Sequence, residues 1–179
     1  IQITSPVYHF QRLSQRDSAK SFKKLNLCSG GDKRDGYMNM DFANSDMDAD
    51  LSSGIIPLGD SSYSFVLFKH GLEHFRFEVA KKLLQEVYRI LEPNGELKIH
   101  VPDLKLALED YFIGFNTHDN CAPAINRIYG LGTSEQQIHK WGYTQESLME
   151  LLHEVGFSVK IILPECPDEL LMIGIKNVQ

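Results

Sequence analysis

The stretch from Ser64 to Val101 constrains the fold most. Ser64-Phe65-Val66-Leu67-Phe68 is a short apolar run of the buried-strand type. A helix is expected from Arg76 to Leu91, because Ala80, Leu83, Leu84, Val87, Ile90 and Leu91 recur on one face at helical spacing. Glu92-Pro93 stops it and Asn94-Gly95 supplies a turn. Glu96 to Val101 then returns as a strand. Strand, amphipathic helix and strand in this order require two parallel strands joined by a helical crossover.

The flanking segments extend that unit. Strands are expected at Lys24 to Cys28, Tyr37 to Phe42 and around Asp48 to Leu51, with Pro57, Gly59 and Asp60 marking a loop. Asp103 can cap a helix running to about Ile113, with Leu104, Ala107, Leu108, Tyr111 and Phe112 inward. Residues 114–143 show no regular period. Thr144 caps a helix with Leu148, Leu151, Leu152 and Val155 inward, ended by Gly156. Phe157 to Leu163 and Leu170 to Lys176 are close enough to form an antiparallel hairpin. The fold class is therefore α/β: a Rossmann-like, open, mostly parallel sheet with helices on both faces and a C-terminal antiparallel hairpin strand. Residues 1–23 form an N-terminal extension or lid, with Arg12, Arg16 and Lys20 every four residues, and residues 24–179 form the domain.

Bulk properties narrow the partners. The chain has 179 residues, enough for one domain with one core. Its net charge of −6 argues against a nucleic-acid backbone as partner. No apolar run approaches the roughly 20 residues of a membrane span. The three cysteines, Cys28, Cys121 and Cys166, have neither a disulfide framework nor metal-type spacing. A reducing, cytoplasmic setting is expected, with no resident metal.

In open α/β sheets, ligands bind beyond the carboxyl ends of the strands. Three features fall there in order. The first is the small-residue loop Cys28-Ser29-Gly30-Gly31, where backbone amides can approach a ligand. Asp41 follows, placed to accept from ribose hydroxyls. Asp50 comes next, able to accept from an adenine amino group, with Leu51 packing on the ring. The cofactor is not a dinucleotide. A pyrophosphate calls for a three-glycine turn feeding a helix N-terminus, whereas Gly31 lies too close to the next strand for a crossover helix. S-adenosylmethionine has no phosphate and needs no such helix.

These residues resemble the class I S-adenosylmethionine-dependent methyltransferases, in particular the type 11 methyltransferase domain group associated with polysaccharide and glycan biosynthesis. The resemblance runs from about Lys24 to the C-terminus. It rests on Leu25-Asn26-Leu27-Cys28-Ser29-Gly30-Gly31, Gly36-Tyr37-Met38-Asn39-Met40-Asp41, Asp50-Leu51, Ser64 to Phe68 with His70-Gly71-Leu72-Glu73-His74, and Leu91 to Leu97. Val101 to Leu104 and Gly142-Tyr143-Thr144 through Gly156-Phe157 complete it. It implies Cys28, Ser29 and Gly30 by the methionine part of the cofactor, Asp41 on the ribose, Asp50 and Leu51 on the adenine, and Lys69 and His70 near the sulfur. Cys28 stands where the group commonly has glycine, and Asn94 replaces a glycine in the turn.

The implied activity is methylation of oxygen or nitrogen on a small-molecule or glycan-type acceptor. His70 is the first candidate general base, since imidazole titrates near neutrality. Asp103 and His139 are further catalytic candidates, and Trp141 and Tyr143 candidate substrate walls. Two alternatives belong to other classes. One is a non-catalytic module that binds the cofactor for regulation. The other is a zinc hydrolase, since His70-Gly71-Leu72-Glu73-His74 matches H-x-x-E-H. That pattern needs a helix already formed at His70, yet it follows a strand directly and contains Gly71. Glu73 and His74 are instead expected to open the long helix.

Overall fold

The computed structural model describes residues 22–113, 118–164 and 166–177. Arg12, Arg16 and Lys20, and nearly all of the expected N-terminal extension, lie outside the described residues. Seven strands form one sheet: β1 (Lys24–Leu27), β2 (Met38–Asp41), β3 (Met47–Asp48), β4 (Tyr63–Lys69), β5 (Leu91–Pro102), β6 (Phe157–Ile162) and β7 (Glu169–Lys176). Their spatial order is β3-β2-β1-β4-β5-β7-β6. All neighbours are parallel except the pairs made by β7, which runs antiparallel to both β5 and β6. Order reverses between β1 and β4, the place where such sheets bind ligands.

Register puts Leu25, Leu27, Val66, Phe68, Leu97, Ile99 and Met172 on one face. That face is the core, shared with Leu83, Leu84, Val87 and Ile90 of α1 (Phe77–Ile90). Leu148, Leu151 and Leu152 of α4 (Gln145–Val155) complete it. As the sequence indicates, Thr144 caps α4, accepting from the Ser147 amide, and Gly156 ends it in the left-handed region at φ 115°.

Three expectations change. The long helix begins at Phe77, so Glu73 and His74 are not in it; they sit in a single 3-10 turn, Leu72–His74. The strand after α1 starts directly at Leu91, with Asn94 at φ 62° where its register against β4 shifts. Residues 114–143 are not irregular throughout, because α3 spans His118–Tyr129 with Pro123 inside it. The periodicity there is obscured by polar residues and proline.

The helix α2 (Leu104–Ile113) forms where expected, but of its five anticipated inward residues only Ala107 is buried. Leu108, Tyr111 and Phe112 are exposed. The apolar face is real, but α2 packs on α3 rather than on the strands.

Between β1 and β2 no helix intervenes. Residues 28–37 are held instead by side chains. Asn26 Nδ2 donates to Asp32 O at 2.7 Å and to Asn39 Oδ1 at 3.0 Å. The Arg34 amide donates to the same Asn39 oxygen at 2.8 Å, and Asn39 Nδ2 donates to Asp46 Oδ2 at 2.8 Å. Asn26 and Asn39 are both buried. Polar groups at that depth are stable only when paired, as these are.

Candidate functional site

A cavity of about 550 Å³ opens where strand order reverses. Cys28 and Gly30 reach it from the loop after β1, Asp41 and Phe42 from β2, and Ala49, Asp50, Leu51 and Ser52 from the segment after β3. His70, Gly71, His74 and Phe75 line it from beyond β4. Ser134, Glu135, Gln136, Gln137 and Lys140 complete its lining. Its size is that of a small-ligand pocket.

Backbone geometry at the strand ends is unusual. Cys28, Gly30 and His70 have φ of 55°, 50° and 50°. For a residue with a side chain, this left-handed conformation costs about 1–2 kcal/mol. The position of Cys28 thus has the conformation that favours glycine, which accounts for the glycine common in similar loops. Burial pushes the Cys28 thiol well above its ordinary pKa, with the Asp41 and Glu73 carboxylates adding to the rise. It stays protonated and is a poor nucleophile. A methyl group at Gly71 would lie 2.6 Å from the Phe68 ring and 2.7 Å from Cys28 Cβ, so the β1 and β4 loops approach this closely only with glycine there.

Asp41 joins two loops. One carboxylate oxygen accepts from the Gly30 amide at 2.7 Å and the other from the Phe42 amide at 2.7 Å. Each oxygen keeps a lone pair for a ligand hydroxyl. Asp50 Oδ1 accepts from the Ser52 amide at 2.9 Å, and Leu51 is buried beside it.

His70 is held from both sides. Its Nε2 lies 2.9 Å from Glu169 Oε1 on β7, and its Nδ1 lies 3.7 Å from Glu73 Oε1. Glu73 raises the His70 pKa most, burial opposes the rise, and Glu169 adds to it. The second Glu169 oxygen meets His100 Nδ1 at 3.1 Å. Burial would raise the Glu169 pKa, but His100 and His70 hold its carboxyl below the usual range. Burial pushes His100 below the ordinary histidine value. His100 appears in the sequence only as a strand residue, and Glu169 carries no local signal at all. The two meet because β5 and β7 are antiparallel partners.

Of the cofactor residues expected from sequence, Cys28, Gly30, Asp41, Asp50, Leu51 and His70 line the cavity, while Ser29 and Lys69 do not. Ser29 is buried, and its Oγ has no partner among the described residues. Asp103 caps α2, accepting from the amides of Lys105 at 2.9 Å and Leu106 at 3.3 Å, and lies off the cavity. His139, Trp141 and Tyr143 line a second, much smaller cavity of about 10 Å³ together with Glu73, Leu104 and Arg127. Trp141 also packs on Phe77, with ring centroids 5.2 Å apart. The H-x-x-E-H hydrolase geometry is absent. His70 is at the left-handed end of β4 and His74 in a separate 3-10 turn, so the two do not share a helical face.

Residues 21–99 match a family model described as a methyltransferase domain. Those residues are similar to that family, and the sheet has the fold of S-adenosylmethionine-dependent methyltransferases of known structure. The fold is similar to that of an S-adenosylmethionine-dependent methyltransferase from Methanosarcina mazei, at 16% identity and TM-score 0.59, covering 90% of this chain and 95% of the other. It is also similar to a methyltransferase of that dependence from Archaeoglobus fulgidus, at 18% identity and TM-score 0.58, covering 87% and 88%. An O-methyltransferase family protein from Burkholderia thailandensis matches at 14% identity and TM-score 0.49 over 73% of this chain, which spans only 35% of that protein. No curated protein matches. No helix among the described residues is long and apolar enough to cross a membrane.

S-adenosylmethionine is the cofactor named for two of those structures, and the residues lining the cavity of this chain fit it. Asp41 and Asp50 offer acceptors suited to ribose hydroxyls and an adenine amine, and Leu51 an apolar wall. Among the described residues, Lys140 is the one lysine or arginine that lines the cavity. That suits a ligand without phosphates.

Proposed function

We propose that this domain methylates an oxygen or nitrogen of a small-molecule or glycan-type acceptor. The observation that carries the reading is the wall of the cavity. Ser134, Gln136 and Gln137 line it together with Asp41 and Asp50. Hydroxyl and amide side chains of this kind suit an acceptor rich in hydroxyl groups.

When bound, S-adenosylmethionine supplies a methyl group on a sulfonium that is already a good leaving group. The protein's task is then chiefly positioning. In this reading Asp41 orients the ribose while keeping the Gly30 and Phe42 amides in register. Asp50 and Leu51 hold the adenine, and Gly71 lets the β4 loop close on Cys28. His70 acts by position. Its Nε2 is engaged by Glu169 and its Nδ1 faces Glu73, so serving as a base would require surrendering the Glu169 bond.

Two titrations test this. Isothermal calorimetry with S-adenosylhomocysteine is expected to show one site per chain, lost in Asp41→Ala. Radiolabelled methyl transfer to a panel of mono- and oligosaccharides, with a matched panel of amines, is expected to label the hydroxylated set or the amine set. Absence of cofactor binding sinks the whole reading. Cofactor binding without transfer to either panel sinks the acceptor class and leaves the non-catalytic module.

A further inference from the structure

Beside the large cavity, with His74 on its wall, lies a cluster that methyl transfer as described does not use. One ligand atom from each of Glu73, His74 and His139 lies within 4.8 Å of the other two. The chain separates His139 from the other two by some 65 positions, and main-chain bonds bring them together. The amides of Lys140 and Trp141 both donate to Glu73 O, at 2.8 and 3.2 Å, and the His139 amide donates to Tyr129 O at 3.0 Å. The two imidazole rings meet at 5.0 Å between centroids.

Both imidazoles are oriented by carbonyls. His74 Nδ1 lies 3.3 Å from Ile138 O, and His139 Nδ1 lies 2.9 Å from Arg127 O. A carbonyl only accepts, so each Nδ1 carries the proton and each Nε2 keeps its lone pair. Ring N–H groups donated to backbone carbonyls are the usual support of metal-binding histidines.

The third group is a carboxylate out of water. Glu73 is 2% exposed, and its Oε2 has no partner among the described residues. The Tyr143 hydroxyl, on the same small cavity as Glu73 and His139, is buried and equally without a partner among them. A buried carboxylate oxygen left unpaired carries its full desolvation cost. A cation would remove that cost.

We propose that Glu73, His74 and His139 bind a divalent first-row transition-metal ion, with zinc as the representative. Two imidazoles and one carboxylate are a ligand set for such ions, and a set of three leaves coordination positions open. A tetrahedral ion with ligands at about 2.1 Å wants them about 3.4 Å apart, so the side chains close in by about an ångström on loading. His74 also lines the large cavity. On the methyltransferase reading above, the open positions would favour an oxygen rather than a nitrogen nucleophile. Metal binding itself does not depend on that reading. The H-x-x-E-H pattern pairs His74 with His70, whereas this site pairs it with His139, which the sequence offers only as a catalytic candidate.

The test uses the purified full chain, stripped with a chelator and titrated with Zn²⁺ alone. One ion per chain is expected to survive desalting. Glu73→Gln and His139→Ala are each expected to weaken binding at least tenfold, with metal-free melting temperatures within a few degrees of the parent. On the unaltered protein loaded with Co²⁺, proton NMR is expected to show two paramagnetically shifted, exchangeable imidazole N–H resonances, from Nδ1 of His74 and His139. The site is overturned if zinc is not retained, which would leave a buried water as the partner of Glu73 and Tyr143. It is equally overturned if both variants bind as the parent does, or if fewer than two such resonances appear. A separate titration with S-adenosylhomocysteine reports on the large cavity. Cofactor binding without zinc binding defeats this inference alone.

Discussion

The two halves of the sheet connect parallel strands by different means. From β4 to β5 the chain crosses through α1, which buries Ala80, Leu83, Leu84, Val87 and Ile90 against the strands. From β1 to β2 it crosses without a helix, through a loop pinned by Asn26, Asn39 and Asp46. Apolar burial is non-directional and tolerates small shifts, whereas hydrogen bonds fix atoms to a few tenths of an ångström. The stapled half is where Asp41 reaches the cavity. The helical half supplies the core on which that precision rests.

The comparison predicts that stability and binding separate by region. Leu84→Ala in α1 is expected to cost about 3 kcal/mol of unfolding free energy, measured by urea denaturation. S-adenosylhomocysteine affinity in the folded fraction should change less than about threefold, roughly 0.6 kcal/mol. A large loss of affinity would mean that the core half also sets the geometry of the site.

Asp41→Ala is expected to do the reverse. Calorimetry should show binding weakened about 30-fold or more, roughly 2 kcal/mol, since charged hydrogen bonds are lost. The melting temperature should fall by only a few degrees. Asn39→Ala lies between the two. It leaves the Arg34 amide and Asn26 Nδ2 without their shared acceptor. It is expected to cost about 1–2 kcal/mol and also to weaken cofactor binding, because the loop carrying Gly30 loses its anchor. An Asn39→Ala protein that binds normally would break the contrast.

The smallest effect is on the seam between the halves. Arg89 of α1 reaches the segment before β4, donating to Ile56 O at 3.0 Å and Leu58 O at 2.9 Å, and pairs with Glu86. The Arg89 hydrogen bond holds the Glu86 carboxyl below its usual range. A lowered folded value means that the stabilisation is complete above the unfolded carboxylate pKa of about 4.3 and is lost as pH falls through the lowered one. Both groups are partly exposed, so the pH-dependent part should stay under about 1 kcal/mol. The stability gap between the parent and Arg89→Ala should therefore be flat from pH 7 to about 5 and narrow below about 4. A gap that widens in acid would reject the pairing.

Much of this was legible in the residues. Strand ends, the α1 stripe, the Thr144 and Gly156 caps, and the order of loop, Asp41 and Asp50 are local signals within a few positions of each other. They mark the fold class and one wall of the large cavity. What was missed is long-range or depends on what covers a surface. The periodicity of α2 marks an apolar face but not its partner, and that partner turned out to be α3. Cys28 was a departure from glycine in a resemblance, and only its φ of 55° explains why glycine is common there.

The chain by itself determined a mostly parallel α/β sheet with small and acidic residues gathered at one edge, because periodicity, caps and turn residues act over one or two turns of backbone. Only the tertiary structure decided that Glu169 and His100 meet His70, and that His139 meets Glu73 and His74. Those meetings depend on strand pairing and on two backbone amides reaching one carbonyl. Contacts between residues so far apart in sequence leave no local trace in it.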